Sequence, residues 1–374
     1  MPLPLSRDPP AGSSLRHLTD VKAVLAIAAG KGGVGKSSIS VNLGMALQHH
    51  GFRVGIMDAD IYGPSIRKML PEDEPPKQEG TMLKPALCRG IKMISMAYFR
   101  KEQEAAAVRA PIANSLIAHF IKQVEWGTLD FLLVDFPPGT GDVQLTLCQQ
   151  IPWLGALMVT TPQDVALLDV RKAISLFNQV NVPIMGIIEN MSYYQDSDHS
   201  APVYVFGRGG GERLAREMGV PLLGSIPLDP ELCACGDEGR SLFEVDPNAD
   251  RPSTQALHLL AKRVVDQTAA LKRSDEAIGT PAFFPLNVRQ MEQSLFSIEW
   301  NDGQTQYFRV ADVQKACPCA RCRNSAKRED LSDQISEAVE AVSIQNVGRY
   351  GLRIQFTSGC SAGIYSFEQL RKGL

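Results

Sequence analysis

The sequence lacks three features that would assign it to a common class of protein. Basic residues are not in excess, because 38 Lys and Arg stand against 41 Asp and Glu, a formal net charge of −3, so charge gives no reason to expect nucleic acid. No apolar run reaches the roughly 18 residues of a membrane span, and residues 1–20 lack the apolar centre of a signal peptide. We expect a cytoplasmic protein that binds neither nucleic acid nor a membrane, with a flexible N-terminus over residues 1–20.

Cysteine is also scarce, with eight residues in a chain of 374. That number is too small for a disulfide scaffold in a chain of this length. The cysteines are grouped, however, which indicates a reducing compartment and metal chemistry. The length allows two domains, one of them large enough to bury a full α/β core.

The stretch AIAAGKGGVGKSSISVNLG, residues 26–44, carries the strongest motif. Gly30, Gly35, Lys36 and Ser37 satisfy the phosphate-loop pattern, between an apolar run typical of a buried strand and a stretch with helical spacing. Such a loop aims backbone N–H groups at phosphates, Lys36 reaches the terminal phosphates and the Ser37 hydroxyl binds Mg²⁺. The alternative is a glycine-rich turn without a ligand. The predicted ATP-binding residues of the loop are Gly30, Lys31, Gly32, Gly33, Val34, Gly35, Lys36, Ser37 and Ser38.

Beyond the loop, short apolar runs alternate with helical stretches. They lie at 53–60, 90–96, 130–142, 155–161, 182–192 and 220–229. Apolar strands separated by helices predict a doubly wound parallel sheet of the α/β class. Ligands bind such sheets at the carboxyl ends of the strands, where Asp58, Asp60 and Asp135 lie. We interpret these carboxylates as a Mg²⁺ and water site, the alternative being helix caps or turn residues.

Seven motifs together resemble the Mrp/ApbC family of ATPases, within the MinD-like group of deviant Walker A proteins. They are GKGGVGKSS, DADIYGPS, VDFPPGTGD, TTPQDVALLDVRKAI, GIIENMSYY, FGRGGGERLA and GSIPLDP. The resemblance covers about residues 20 to 270. It implies a slow ATPase that works as a homodimer and carries or inserts iron–sulfur clusters.

The resemblance also implies roles for single residues. Lys31 resembles a finger that reaches across the dimer to the partner's ATP, although a solvated loop lysine is the alternative. Asp58 resembles a residue near Mg²⁺, Asp60 the carboxylate that orients the attacking water, and Asp135 the Walker B acid. Further positions carried over are Gly139 for the γ-phosphate and Asn190, Pro227 and Asp229 for adenine. The segment FGRGGGE, 206–212, is predicted to be a turn into a helix rather than a second phosphate loop.

The chain departs from the family where a C-x-x-C usually bridges one cluster between two subunits. Asp196 and His199 stand at those positions, and neither is as soft a ligand as a thiolate. The usual cluster site is therefore in doubt. Cys233 and Cys235 could supply thiolates instead, the alternative being two inert cysteines beside a loop.

A second domain follows the first. We place the ATPase domain at 21–271, a linker at 272–284 and a small β-rich domain at 285–374. This last domain resembles the N-terminal domain of γ-butyrobetaine hydroxylase, in which the fourth zinc ligand is commonly His. Cys317, Cys319, Cys322 and Cys360 predict a site of four thiolates, which suits zinc and could also hold an iron–sulfur cluster.

Two functions of different classes are compatible with these motifs. The first is a homodimeric iron–sulfur carrier that serves apo recipient or assembly proteins. The second is a nucleotide-switch ATPase or partner-binding adaptor of the same fold. A MinD-like positioning protein would end in a basic amphipathic helix, whereas this chain ends in the cysteine domain. A scaffold that binds ATP without turnover would need neither Lys31 nor Asp60.

Overall fold

The structure is a computed structural model that divides the chain into two compact units, Met1–Leu271 and Lys272–Leu374. It describes residues 18, 20–61, 63–99, 117, 120–139, 141–180, 182–195, 201–277, 285–292, 294–318, 339–347, 351–357 and 363–373. Asp196, His199, Cys319, Cys322 and Cys360 lie outside the described residues. Each unit is described by itself below.

The first unit contains an eight-stranded sheet and a short two-stranded one. The strands are β1 Val24–Ala29, β2 Val54–Asp58, β3 Lys77–Glu79, β4 Met82–Lys84, β5 Ala86–Cys88, β6 Ile91–Ser95, β7 Phe131–Asp135, β8 Gly155–Thr160, β9 Ile184–Glu189 and β10 Leu222–Ser225. The large sheet has the order β10-β9-β8-β1-β7-β2-β6-β5. All its neighbours pair in parallel except β5 and β6, which are antiparallel.

Helices connect these strands. They are α1 Lys36–His49, α2 Ile66–Met69, α3 Asp142–Gln150, α4 Asp164–Gln179, α5 Gly210–Met218, α6 Pro230–Glu238, α7 Leu242–Val245 and α8 Pro252–Ala277, with a 3₁₀ turn at Met96–Tyr98. The predicted doubly wound sheet is confirmed, and each predicted apolar run contains one of its strands. The turn into a helix at 206–212 is confirmed too, since α5 begins at Gly210 after a left-handed Gly209.

The central strands β1, β2, β7 and β8 are buried along their whole length. Their unbroken apolar sequences suit strands that are covered on both faces by crossover helices. In the parallel register Asp58 lies opposite Asp135, and Ile27 lies opposite Asp135 on the other side of β7. The carboxyl ends of β1, β2 and β7 therefore meet at one edge, where the phosphate loop begins.

The second unit has its own apolar core, which includes Phe296, Ile298 and Trp300. Its elements are β11 Pro285–Glu292, β12 Leu295–Trp300, β13 Thr305–Arg309, α9 Val310–Lys315, β14 Ala341–Val347, β15 Gly351–Phe356, β16 Ile364–Ser366 and α10 Phe367–Lys372. They form two antiparallel three-stranded sheets. The predicted hairpin at the sequence NDG is confirmed, because Gly303 turns the chain between β12 and β13 at a φ of 81°. The unit is β-rich, as predicted.

The linker was predicted at 272–284, and the two units divide at its start, between Leu271 and Lys272. Helix α8 continues to Ala277, so residues 272–277 are helical. Lys, Arg, Glu and Ala favour helices intrinsically, and this propensity outweighs the polar composition that suggested a linker. Residues 278–284 lie outside the described residues. Within the part of the chain that the structure describes, no helix has both the length and the apolar character needed to cross a membrane.

Candidate functional site

The loop between β1 and α1 depends on close contacts that glycine alone permits. A Cβ at Gly30 would lie 2.1 Å from the carbonyl carbon of Asp169 in α4, and one at Gly35 would lie 2.1 Å from Nδ2 of Asn190. Gly33 and Gly35 both have a φ of 80°, a left-handed conformation that side chains disfavour. Close contacts with Asp169 at one end and with Asn190 at the other therefore hold the loop in one conformation.

Asn190, directly after β9, hydrogen-bonds to the backbone of the phosphate loop. Its Nδ2 donates to the carbonyl oxygen of Val34 at 2.9 Å, and its backbone N–H donates to Thr160 O at 2.7 Å. The side chain is 6% exposed. The residue predicted to contact adenine thus also fixes the backbone of the phosphate loop.

Lys36 and Asp135 form a buried ion pair under this loop. Lys36 Nζ lies 2.6 Å from Asp135 Oδ2, and the two residues are 7% and 0% exposed. The Ser37 hydroxyl donates to the same oxygen at 2.6 Å, while the Ser40 hydroxyl donates to Oδ1 at 2.5 Å. Three donors from α1 therefore compensate the charge of one buried carboxylate. Burial of that charge without partners would cost several kcal/mol of desolvation free energy.

Ser40 is a site residue that motif reasoning missed. It lies four residues after Lys36 and so on the same face of α1. That spacing is the signal that could have found it. Its hydroxyl also lies 3.2 Å from Lys36 O and has no exposure to solvent.

Asp58 is the second buried carboxylate of this edge. Ser95 Oγ donates to it at 2.8 Å and the Asp60 backbone N–H at 3.2 Å. Burial, followed by the charge of Asp135, raises the pKa of the Asp58 carboxyl to about 7, although Ser95 and Lys36 oppose the shift. Two adjacent buried carboxylates with only one lysine between them form a site with an affinity for a further cation.

Three further predicted residues follow the strands at this edge. Lys31 lies just after β1, Asp60 just after β2 and Gly139 shortly after β7. Asp60 is 9% exposed and accepts the Gly63 N–H at 3.1 Å. Gly139 follows β7 with a φ of 95°. Lys31 is partly exposed, and none of the described residues hydrogen-bonds or ion-pairs with it. The segments that follow β1, β2 and β7 thus carry the predicted phosphate and magnesium residues at one edge of the sheet, with Lys36 buried and Lys31 partly exposed.

Pro227 and Asp229 line a separate pocket of about 230 Å³, together with Tyr194. Asp229 is the N-cap of α6 and accepts the Glu231 N–H at 2.8 Å. It also accepts the Ser253 hydroxyl. This carboxylate is therefore already used in holding α6 in place.

Cys233 and Cys235, predicted as a possible pair of cluster ligands, differ in their environments. Both lie in α6, where residues two apart point to different faces. Cys233 is exposed, whereas Cys235 is buried with its thiol 3.7 Å from Glu231 Oε1. Burial raises the pKa of the Cys235 thiol. The two sulfurs of one subunit therefore lie on different faces of α6.

One of the four predicted zinc ligands lies within the described residues. Cys317 follows α9 and is 5% exposed. A Cβ at Gly363 would lie 2.7 Å from its Sγ, so the chain just before β16 passes directly over this thiol. In the described parts of the chain, no group of three or more His, Cys, Asp or Glu side chains is arranged to hold a metal. Magnesium in phosphate sites needs only one or two carboxylates beside the phosphates.

Comparisons with known proteins agree with both units. The family model described as NUBPL iron-transfer P-loop NTPase matches residues 20–265, and the γ-butyrobetaine hydroxylase-like N-terminal model matches 288–371. Both resemblances indicated by the motifs are thereby confirmed. A protein named iron-sulfur cluster carrier protein from a Synechocystis species is 44% identical over 255 residues, which cover 67% of this chain and 72% of that protein.

Two further proteins extend the comparison. An iron-sulfur cluster carrier protein from Haemophilus influenzae is 48% identical over 246 residues, 65% of this chain and 66% of that protein. The solved structure of a nucleotide-binding protein from Archaeoglobus fulgidus, in complex with ADP, is 34% identical with a TM-score of 0.55. It covers 64% of this chain and 93% of that chain.

The pKa of Asp58 generates a stability prediction for protein free of nucleotide and metal. The folded state holds this proton more tightly than the unfolded state, whose pKa is near 3.8, so stability is lost as the pH rises from about 4 to about 7. Asp58→Asn removes that loss. We expect the variant to melt above the wild type at pH 8 and near it at pH 5, a difference of at most about 4 kcal/mol.

Thermal melting in EDTA at pH 5, 6, 7 and 8 measures this effect. Asp130→Asn is the matched control, because Arg53 lowers the pKa of the Asp130 carboxyl. That substitution should destabilise the protein at pH 8. If Asp58→Asn lowered the melting temperature at every pH, the assignment of Asp58 as a strained carboxyl would be wrong.

Proposed function

Because the chain belongs to the NUBPL iron-transfer P-loop NTPase family, we propose that it is an ATP-hydrolysing carrier of iron–sulfur clusters that works as a homodimer. The observation that carries the proposal is the buried Lys36–Asp135 pair with its serine donors beneath a packed glycine loop. The names of the Synechocystis and Haemophilus relatives support the cargo. The ADP complex of the Archaeoglobus relative supports the nucleotide.

The phosphate loop binds the nucleotide in this proposal. Its backbone N–H groups and the N-terminus of α1 attract the phosphates, and Lys36 leaves Asp135 to contact the terminal ones. Ser37, Asp58 and Asp135 would hold Mg²⁺, which neutralises phosphate charge when bound. The donors fit that ion, since all are oxygens and a divalent cation would offset the burial and the repulsion from Asp135 that raise the pKa of Asp58.

Asp60 orients the attacking water. Its carboxylate lies two residues beyond Asp58, is nearly buried and is held by the Gly63 N–H. A carboxylate so placed accepts a hydrogen bond from water and aligns it for in-line attack. Gly139 contributes a backbone N–H toward the γ-phosphate from the loop after β7.

Lys31 acts across the dimer. Unlike Lys36, it has no hydrogen-bonding or ion-pair partner among the described residues, and its glycine neighbours leave its direction open. A second cation that arrives only when two subunits close would stabilise the charge that develops on the transferred phosphoryl group. Hydrolysis is then coupled to dimer closure.

The two lysines should therefore respond differently to substitution. Lys36→Ala should abolish ATP binding, whereas Lys31→Ala should bind ATP with an affinity within about threefold of wild type and lose at least about 100-fold in turnover. Titration calorimetry measures binding and phosphate release measures turnover. An equal loss of affinity in both variants would contradict the role of Lys31 across the dimer.

Cys233 carries the cargo in this proposal. It is the exposed cysteine of the first unit, in which Cys88, Cys148 and Cys235 are buried. Its helix α6 packs against α2, since a Cβ at Gly236 would contact Met69 at 3.7 Å. Helix α2 follows Asp60 in the chain, so a movement of the Asp60 segment on ATP binding reaches the helix that bears Cys233.

The same cysteine explains how the cargo is released. Each subunit of the homodimer contributes one exposed thiolate, so two subunits contribute two. Iron–sulfur clusters are usually held by four cysteines. A cluster with fewer thiolate ligands is held less firmly, which suits transfer to a recipient protein.

Anaerobic reconstitution of the full chain with iron and sulfide tests the cargo. We expect wild type and the buried-thiol control Cys148→Ser to take up a cluster and pass it to an apo-ferredoxin, and Cys233→Ser to lose at least half of the bound iron and acid-labile sulfide. Uptake that survives in Cys233→Ser but is lost in Cys317→Ser would move the cargo to the second unit. Wild type that takes up none would refute the carrier function and favour a nucleotide-switch adaptor.

The second unit holds a structural zinc ion in this proposal. Cys317 is buried under Gly363, and Cys360 precedes that glycine by three residues in the sequence, a reach of at most about 10 Å. Cys319 and Cys322 follow Cys317 by two and five residues in the sequence. Four cysteines at such spacings supply the donor set of a tetrahedral zinc site.

Gly363→Ala should weaken this site without removing a ligand. The added methyl group would lie 2.7 Å from Cys317 Sγ and 2.9 Å from Pro318 Cδ, so the thiol must move. We expect one zinc per wild-type chain and at least a tenfold loss of zinc affinity in the variant, measured by competition with a chromophoric chelator. Tyr307→Ala, at a side chain 64% exposed, is the control and should keep the wild-type affinity. A variant that bound zinc as tightly as wild type would contradict this placement of Cys317.

A further inference from the structure

Three of the six histidines of the chain meet on the surface of the first unit. His49 and His50 lie at the C-terminal end of α1, and His258 lies on α8. The ring of His258 is 5.1 Å from each of the other two rings, centroid to centroid. His258 Nδ1 and His50 Nε2 are 3.2 Å apart.

The positions of the His50 and His258 rings match those of two ligands on one ion. Two imidazole nitrogens about 2.05 Å from a tetrahedral metal lie about 3.3 Å apart, and their ring centroids about 5.2 Å apart. The observed separations are 3.2 Å and 5.1 Å. A straight N–H···N hydrogen bond of the same length would separate the centroids by about 5.5 Å. The two nitrogens, which share a hydrogen bond in this structure, therefore lie at a separation that one metal ion could bridge.

The surroundings distinguish the His50–His258 pair from His49. His49 stacks on Phe243 with centroids 5.8 Å apart, which directs that ring into an apolar contact. His50 is exposed, so an ion can enter from solvent and keep water in its remaining positions.

We infer that His50 and His258 form a binding site for a first-row divalent transition metal, with two imidazole ligands and water completing the coordination. Imidazole suits Zn²⁺, Ni²⁺, Cu²⁺ and Co²⁺, not Mg²⁺. The site lies at the end of α1 opposite to Lys36 and is therefore separate from the phosphate-loop edge. A bound ion would join the C-terminal end of α1, the helix that begins with Lys36, to α8.

Titration of the full chain with Ni²⁺ tests the site by calorimetry. The variants His50→Gln and His258→Gln should each bind Ni²⁺ at least tenfold more weakly than wild type. His49→Gln, a change in the adjacent ring, should stay within about threefold of wild type. Any Ni²⁺ that binds elsewhere contributes equally to all four proteins and cancels in the comparison.

A second readout identifies the ligands directly. Substoichiometric paramagnetic Ni²⁺ should broaden the imidazole C–H resonances of His50 and His258 first, and Ni²⁺ should raise the melting temperature of wild type but of neither variant. Unchanged Ni²⁺ affinity in both variants would overturn the assignment. So would an equal loss in His49→Gln, because it would show that the ion is not held by the His50–His258 pair.

Discussion

The first unit depends on one buried ion pair, that of Lys36 with Asp135. A carboxylate without solvent exposure is tolerated only when its charge is compensated, and here the compensation comes from Lys36, Ser37 and Ser40 of a single helix. The pair can form only if β1 and β7 are adjacent and in register, as they are. The same pairing that completes the sheet therefore also assembles the phosphate site.

The second carboxylate of that edge explains why the site favours a further cation. Asp58 lies opposite Asp135 in the register of β2 and β7, so two buried acids share one lysine. Burial, followed by the repulsion from Asp135, raises the pKa of Asp58 to about 7 and destabilises the empty site. Binding sites that are strained in this way exchange stability for affinity.

The cysteines differ in their environment, and the environment of each decides the role proposed for it. Burial of a thiol without a metal or a cation beside it, as at Cys148, whose pKa burial raises to about 12, disfavours the thiolate. Cys233 is exposed on a helix that contacts the segment after Asp60. Cys317 lies under Gly363 in a different unit with a separate core. The exposed Cys233 near the Asp60 segment suits the proposed cargo, which must be released. The buried Cys317 in a small unit suits the proposed structural zinc ion.

Sequence alone determined the features that short stretches encode. The glycines and Lys36, the acids that end β2 and β7, the parallel sheet and the NDG hairpin all follow from local spacing, because loop, strand and turn patterns are set by neighbours in the chain. Tertiary structure alone decided what distant residues do together. Ser40 meets Asp135 across 95 residues of sequence, and His258 meets His50 across 208. The strands β3, β4 and β5 were not predicted, because each has only three residues. The helix around Cys233 and Cys235 likewise turned a sequence pair into one exposed and one buried thiol.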